Sequence, residues 1–279
     1  MSGTARKSGR SGSYAARARL ALYHTLLLGG VFLFWHLMTN PLLVTPEFAQ
    51  NTAFFFGKPL LVLDRIHDWF FSGKIYEHLL VTLIETLLAF FIGTALGLAA
   101  GLWLALSPTA SALADPYIKA FNAMPRVILA PIFAVWFGLG ILSKVALGIT
   151  LVFFIVFFNV YQGVKEVSPV VLNNARMLGA TPRQLMRTVY VPSAMSWVFS
   201  SLHTAVGMAF VGAVVGEYLG SARGVGYLIL QAEGAFDINT VFAGILVLTA
   251  FALALDAVVS FAEKRLLVWR PAQGETDRL

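Results

Sequence analysis

Six long apolar segments, separated by shorter polar ones, dominate the pattern of this 279-residue chain. A helix needs about 20 residues to cross the hydrocarbon core of a bilayer, and lipid cannot satisfy the backbone groups of an open strand. The pattern therefore predicts an all-α, polytopic membrane protein with spans at about 20–39, 78–107, 126–141, 145–163, 195–217 and 237–262. Pro125 and Pro131, near the start of the short third segment, predict a bent or tilted entry.

A polar island at 168–192 lies between the fourth and fifth spans and predicts two short helices joined by a tight turn. Ser168 is an N-cap residue type placed before a first-turn proline. Gly179 can end the first helix because glycine adopts the left-handed conformation without steric cost. Thr181 and Gln184 have the spacing of a capping box for the second helix. A membrane protein with so rigid a polar loop is expected to present it to a partner.

Composition and charge support this picture, with 58% hydrophobic and 12% charged residues. The absence of cysteine excludes disulfides, zinc–thiolate sites and cysteine nucleophiles. The net charge of +6 reflects basic loops rather than nucleic-acid binding, since most of the 20 basic residues fall in segments that are cytoplasmic if the N-terminus is inside. Lys119 and Arg126 belong to that set. The basic residues assigned to the outside are Lys58, Arg65, Lys74, Lys144 and Arg223.

The chain divides by composition into four parts. These are a disordered cytoplasmic tail (1–19), a first span with an external amphipathic segment (20–77), a core containing the polar loop 165–192 (78–264), and a cytoplasmic C-terminal tail (265–279). In the external segment, Leu63, Ile66 and Phe70 share one face of a helix from Pro59, which predicts a helix lying along the outer membrane surface. His67, on the other face, is expected to be solvated, and no metal site is predicted.

Glycines at four-residue spacing give two spans a narrow face. Such a face lets a neighbouring backbone approach closely, either within the chain or across a subunit interface. The residues are Gly93, Gly97 and Gly101 in the second span and Gly212 and Gly216 in the fifth.

Ionisable groups inside spans are costly and suggest function. Glu85 either faces a pathway or bonds a neighbouring helix; Glu217 lines or gates a route, or caps a broken backbone. Asp256 is expected to pair with Lys264 or Arg265, and His203 to be a packed, hydrogen-bonded histidine. No spacing of these groups suggests a general acid and base, so no catalytic residue is predicted. A phosphate-cradling GxxxxGK[ST] loop is also missing, so ATP would have to bind another subunit.

The polar island resembles the cytoplasmic loop of permease subunits of binding-protein-dependent ABC importers. Their pattern is Glu-Ala-Ala, three residues, Gly, nine residues, Ile-x-Leu-Pro; here Asn173 replaces the glutamate, Asn174 the first alanine, and Val189, Val191 and Pro192 close the pattern. In that family the loop forms a coupling helix that sits in a groove of the ATPase subunit. The resemblance assigns the ATPase-coupling role to Asn173, Asn174, Ala175, Arg176, Leu178, Gly179, Ala180 and Thr181.

Two further segments resemble the nitrate-, sulfonate- and taurine-type branch of these permeases. Residues 121–140 are similar to its third-span signature, and residues 215–229 to the segment that follows its fifth span. Together with the charges in the spans, they give the pathway candidates Glu85, Pro125, Trp136, Phe137, Glu217 and Tyr218.

The resemblance implies an importer subunit in the cell (inner) membrane, with both termini in the cytoplasm. It implies a homodimer, an ABC ATPase that binds ATP and magnesium, and an external solute-binding protein. The implied solute is a sulfonate, taurine, nitrate, an aromatic carboxylate or a pyrimidine precursor, and the chain itself binds no cofactor. The alternative is an ion-coupled secondary transporter, which would show inverted repeats around midplane charges; an intramembrane enzyme would show paired catalytic residues. Neither pattern is evident.

Overall fold

The computed structural model describes residues 8–266, and every regular element within that range is helical. The long helices are α1 (Ser8–Met38), α4 (Lys74–Leu106), α7 (Ile141–Lys165), α10 (Val191–Leu219) and α12 (Ile238–Leu266). The shorter ones are α2 (Pro46–Phe56), α3 (Pro59–Phe71), α5 (Pro108–Ala123), α6 (Leu129–Phe137), α8 (Pro169–Met177), α9 (Pro182–Leu185) and α11 (Val225–Gly234). A 3₁₀ turn, Arg126–Ile128, precedes α6, and a π turn, Met186–Tyr190, precedes α10.

Five stretches of helix are long and apolar enough to span a membrane. They are Arg19–Met38, Lys74–Leu106, Ile141–Lys165, Ser201–Leu219 and Ile238–Glu263, so five of the six predicted spans are present with similar bounds. Because α1 begins at Ser8, the described part of the predicted disordered tail is helical. The rest of that tail, and most of the C-terminal one, lie outside the described residues.

The third span differs from the prediction. Helix α5 and the segment Arg126–Phe137 are together long and apolar enough to span a membrane, but the two are bent by 77° at their junction. The sequence pattern missed α5 because Asp115 and Lys119 make it look polar. In the structure these two side chains pair with each other at 2.6 Å, one turn apart on the same helix.

The chain forms two compact units, of which the first comprises residues 1–71 and 232–243. Its α3 is the predicted amphipathic helix. Within the chain, Val62 is fully buried and Ile66 and Trp69 are half-buried, whereas Leu63 and Phe70 are exposed. Their exposure is compatible with the predicted face toward the membrane surface, which stays a prediction. The backbone N–H of Lys58 donates to Asn239 Oδ1 at 2.7 Å within this unit.

The second unit, residues 72–231 and 244–279, is built on α4, α7 and α10. Its core is formed by small and β-branched side chains, including Ala89, Val152, Val156, Val160, Ala205 and Ala209. The predicted glycine faces pack inside the chain. A Cβ at Gly93, Gly97 or Gly101 would lie 2.8 Å from atoms of α7, and one at Gly212 would lie 2.5 Å from Gly148 Cα. Close packing on α7 therefore accounts for these glycines.

Candidate functional site

Local hydrogen bonds and backbone geometry hold the turn of the loop that contains α8 and α9. Gly179 has φ +80°, and a Cβ there would meet no neighbouring atom, so only its backbone conformation requires glycine. The N–H of Ala180 donates to the carbonyl oxygen of Ala175 at 3.0 Å. Thr181 and Gln184 form the predicted capping box, with Thr181 N–H donating to Gln184 Oε1 at 2.8 Å. Ser168 occupies the N-cap position of α8 but makes no side-chain capping bond.

The second helix of this loop is not a separate element. Helix α9 continues through the π turn into α10, so the chain is helical from Pro182 to Leu219. Pro192 explains the irregular turn, because proline lacks an N–H and its ring clashes with the carbonyl four residues earlier. An extra residue in the turn absorbs that clash. The loop therefore ends in a rod that runs into the α4–α7–α10 bundle.

The tip of the loop is apolar and exposed. Met177 and Leu178 are 86% and 89% exposed, and Val170 at the start of α8 is 65% exposed. Asn173, Asn174 and Arg176 are also exposed, whereas Ala175 and Ala180 are half-buried. Behind the loop lies a cleft of about 490 Å³ lined by Leu106, Arg176, Ala180, Pro182, Leu185, Met186 and Tyr190. The predicted coupling residues thus form one surface, beside which a cleft opens.

A second group of functional candidates, here called the polar cluster, comprises Thr82, Glu85, Lys144 and Glu217. Each is at most 1% exposed. Thr82 Oγ1 donates to Glu217 Oε1 at 2.6 Å, and the N–H of Gly226 donates to Glu217 Oε2 at 2.8 Å. Glu217 therefore ties the end of α10 to α4 and to the start of α11, which is the arrangement of a carboxylate that caps a broken backbone.

Gly224 and Gly226 make this arrangement sterically feasible. Gly224 has φ +104°, and a Cβ there would lie 2.1 Å from Glu217 Cδ; one at Gly226 would lie 2.6 Å from the carbonyl oxygen of Val214. The N–H of Gly224 donates to His78 Nδ1 at 3.1 Å. The turn between α10 and α11 is thus closed over the carboxylate by backbone alone.

Lys144, which the charge pattern predicts on the outer side of the membrane, is buried in the first turn of α7, where it is 1% exposed. Its Nζ donates to the carbonyl oxygens of Leu139 and Gly140 at 2.6 and 3.1 Å. Glu85 interacts electrostatically with both Lys144 and Glu217, and its Oε2 is buried without a hydrogen-bond partner. The ammonium group is stabilised in this interior by carbonyl dipoles and two carboxyl groups.

The remaining pathway candidates lie on or beside α6 or, for Tyr218, at the end of α10. Pro125 is the N-cap of the 3₁₀ turn, and Trp136 and Phe137 are 69% and 47% exposed near the end of α6. Their rings contact one another and Phe133. Tyr218, next to Glu217, is half-buried. The structure thus brings Glu85 and Glu217 together, and leaves the α6 aromatics as a separate, exposed group.

His203 is hydrogen-bonded, as predicted, and both of its partners are acidic. Its Nδ1 lies 2.9 Å from Asp256 Oδ1, a partner that was not predicted for Asp256. Glu263 Oε2 lies 2.8 Å from His203 Nε2, so the histidine bridges α10 and α12. Sequence reasoning missed this pairing because the partners are 53 and 60 residues apart.

Arg126 is a further functional candidate because of its contacts. It lies at the bent junction between α5 and α6, and its guanidinium stacks on Phe154 of α7. The only sequence-level indication was its position after Pro125, which marks the junction.

These observations define a class of protein: a polytopic helical membrane protein whose packed bundle carries an exposed, capped loop between α7 and α10. The chain belongs to the family described as binding-protein-dependent transport system inner membrane component, whose model matches residues 93–268. It is therefore a membrane-spanning permease subunit of an ABC transport system.

Similar proteins of known assignment agree with this family. The chain is 30% identical to the putative aliphatic sulfonates transport permease protein SsuC of Bacillus subtilis, over 76% of this chain and 77% of the relative. It is 34% identical to the formylaminopyrimidine transport permease protein ThiX of Halalkalibacterium halodurans, over 80% and 92%. For the taurine transport system permease protein TauC of Escherichia coli the identity is 27%, over 84% and 85%.

Solved structures share the fold. An inward-facing MetNI methionine ABC transporter chain aligns with a TM-score of 0.59 at 19% identity, covering 69% of this chain and 94% of that one. An amino acid ABC transporter chain aligns with a TM-score of 0.55 at 20% identity, covering 70% and 94%.

Proposed function

We propose that this chain forms the membrane pathway of an ATP-driven importer and that the α8–α9 loop is the surface on which a separate ATPase subunit acts. The observation that carries this proposal is the exposed tip at Met177 and Leu178, held on a capped loop. Large apolar side chains that are almost fully exposed on a rigid support mark an interaction site.

The loop is connected to the bundle in a way that suits force transmission. Because the chain is helical from Pro182 to Leu219, a displacement at the tip reaches α10 directly. Helix α10 contacts α7 backbone to backbone at Gly212 and Gly148. At its far end, Glu217 binds α4 and α11. Closure of an ATPase pair would thus shift α10 relative to the bundle. The ATPase can change the equilibrium between two conformations of the chain only by the difference between its affinities for them.

The other components follow from the family. The chain would pair with a second copy of itself in the inner membrane, with both termini cytoplasmic, and receive solute from an external binding protein. ATP and magnesium would bind the ATPase, since this chain has no phosphate-cradling loop. The names of the relatives support a small organic solute or oxyanion, of which a sulfonate, taurine or a pyrimidine precursor are examples.

The experiment is co-purification of tagged chain from native membranes, followed by identification of what accompanies it. We expect a P-loop ATPase in stoichiometric amount. Leu178→Asp is expected to reduce the co-purified ATPase at least tenfold, because it places a charge where an apolar contact forms. The matched control is Leu42→Asp, since Leu42 is equally exposed (90%) but lies in the turn after α1.

Two results would contradict the proposal. One is an ATPase that co-purifies equally with Leu178→Asp and with the wild-type chain. The other is a chain that purifies alone and moves solute into liposomes without ATP, which would instead support the ion-coupled secondary transporter.

A further inference from the structure

Arg126 carries a charge at mid-depth in the bundle. Its guanidinium carbon lies 4.5 Å from the ring centroid of Phe154. Phe154 is near the centre of α7, which runs Ile141–Lys165, so it lies more than about 15 Å from either end of that span at 1.5 Å per residue. A charged side chain at this depth is expensive and is a functional hypothesis by default.

The hydrogen-bonding capacity of Arg126 is only partly used. Its Nη2 donates to the carbonyl oxygen of Asn122 at 3.2 Å and to the Asn122 side-chain oxygen, both neutral acceptors. The carboxylate of Asp115, on the preceding helix α5, is already paired with Lys119. Among residues 8–266, no salt bridge includes Arg126, and its Nε is buried without an acceptor. The group that the geometry lacks is therefore an anionic acceptor.

An open apolar groove of about 610 Å³ lies between α4, α5 and α7, within the volume range of small-molecule sites. Phe154 lines this groove, and the guanidinium of Arg126 lies over the same ring. The other large lining side chains are Trp103, Leu113, Tyr117, Phe121, Phe153 and Phe157.

We propose that Arg126 and this groove form a binding site for a small organic anion with an apolar body. The inference rests on the function proposed above, because it places the site on the transport pathway. A carboxylate or sulfonate would accept hydrogen bonds from the planar guanidinium, and the apolar part would leave water against the aromatic rings. A lipid chain or a second copy of the protein would fill the groove without using the cation, so the unpaired charge favours the anion.

The test compares three probes of one length on the purified complex: butanesulfonate, 1-butanol and butylammonium. Trp103 lines the groove and reports binding by its fluorescence; Trp103→Phe shows which part of the signal is its own. We expect saturable binding of butanesulfonate that is at least tenfold tighter than that of the alcohol or the amine. Arg126→Gln should weaken sulfonate binding at least tenfold, and Arg126→Lys should restore part of it. Lys119→Gln, on the preceding helix α5 and both exposed and paired, should bind as the wild type does.

Equal responses to butanesulfonate and 1-butanol would overturn the proposal, because they would indicate a groove for any apolar chain. So would unchanged sulfonate binding by Arg126→Gln, or no saturable binding by the wild type. If the ATPase co-purifies with Arg126→Gln, a negative binding result counts against the anion site and not against the importer assignment. If no ATPase co-purifies, the same binding comparison on the chain alone shows whether the anion site exists.

Discussion

The polar cluster and the α8–α9 loop distribute their polar and apolar groups in opposite ways. In the polar cluster, charged side chains are fully enclosed, and Glu217 receives hydrogen bonds from a side chain and from the backbone. In the loop, large apolar side chains at the tip face outward, and the Thr181–Gln184 capping box and a backbone bond from Ala180 to Ala175 hold the turn. The first region is stabilised by contacts within the chain, whereas the second leaves apolar surface that only a partner can cover. Stability should therefore depend on the cluster, and partner binding on the loop.

The strongest challenge to this comparison is Gly224→Val. Gly224 has a φ of +104°, which side chains rarely adopt, and an added Cβ would lie 2.1 Å from the buried Glu217 Cδ. We expect the largest loss of stability here, several kcal/mol, because a clash and a strained φ combine. Yield of monodisperse protein and the thermal midpoint in detergent measure it. Gly207→Ala is the control, since Gly207 is helical with open space around its Cβ. It should match or slightly exceed the wild type. A wild-type midpoint for Gly224→Val would refute the enclosed cluster.

Glu217→Leu is expected to have the next largest effect. It leaves the N–H of Gly226 without its acceptor, and an unsatisfied buried donor costs about 1–3 kcal/mol. The Thr82 hydroxyl also loses Glu217 but can still donate to the carbonyl oxygen of His78. Glu217→Gln should lose less than half as much, because its amide oxygen can still accept from Gly226. The thermal midpoint distinguishes the two, and equal losses would show that the charge, not the capping bonds, matters. ATPase association per folded molecule should change little in either variant.

Gly179→Ala should have the smallest effect and the opposite profile. Alanine at φ +80° costs about 1–2 kcal/mol in local conformation. Because the site is open, no clash adds to this cost. The thermal midpoint should stay within a few degrees of the wild type, while ATPase affinity falls roughly five- to tenfold. A shift in midpoint with unchanged affinity would mean that the loop supports the bundle instead of a partner.

Sequence alone predicted the features that local chemistry decides. Gly179, Thr181 and Gln184 lie within six residues, and their backbone roles depend on immediate neighbours, so the turn and capping box were found. Long apolar runs likewise predicted five of the spans, because the thickness of the bilayer sets the length of a spanning helix.

The features that sequence missed depend on contacts between distant segments. The burial of Lys144 was not predicted, because its carboxyl partners, Glu85 and Glu217, are far along the chain. The contact of Arg126 with Phe154 was not predicted either, because it depends on the 77° bend, which is a tertiary feature. Helix α5 is different, because its two charges, Asp115 and Lys119, pair only one turn apart and that local pairing was not considered.

Crosslinking can test whether the α8–α9 loop is the ATPase-docking surface, because the chain contains no cysteine. A single Leu178→Cys substitution gives the only thiol, to which a short photo-crosslinker is attached in native membranes. Leu42→Cys, equally exposed, is the control. We expect irradiation to link position 178, but not position 42, to a P-loop ATPase, and we expect ATP to change the yield. A position 178 that links only to lipid, or links the ATPase no better than position 42 does, would contradict the assignment of the α8–α9 loop as the ATPase-docking surface.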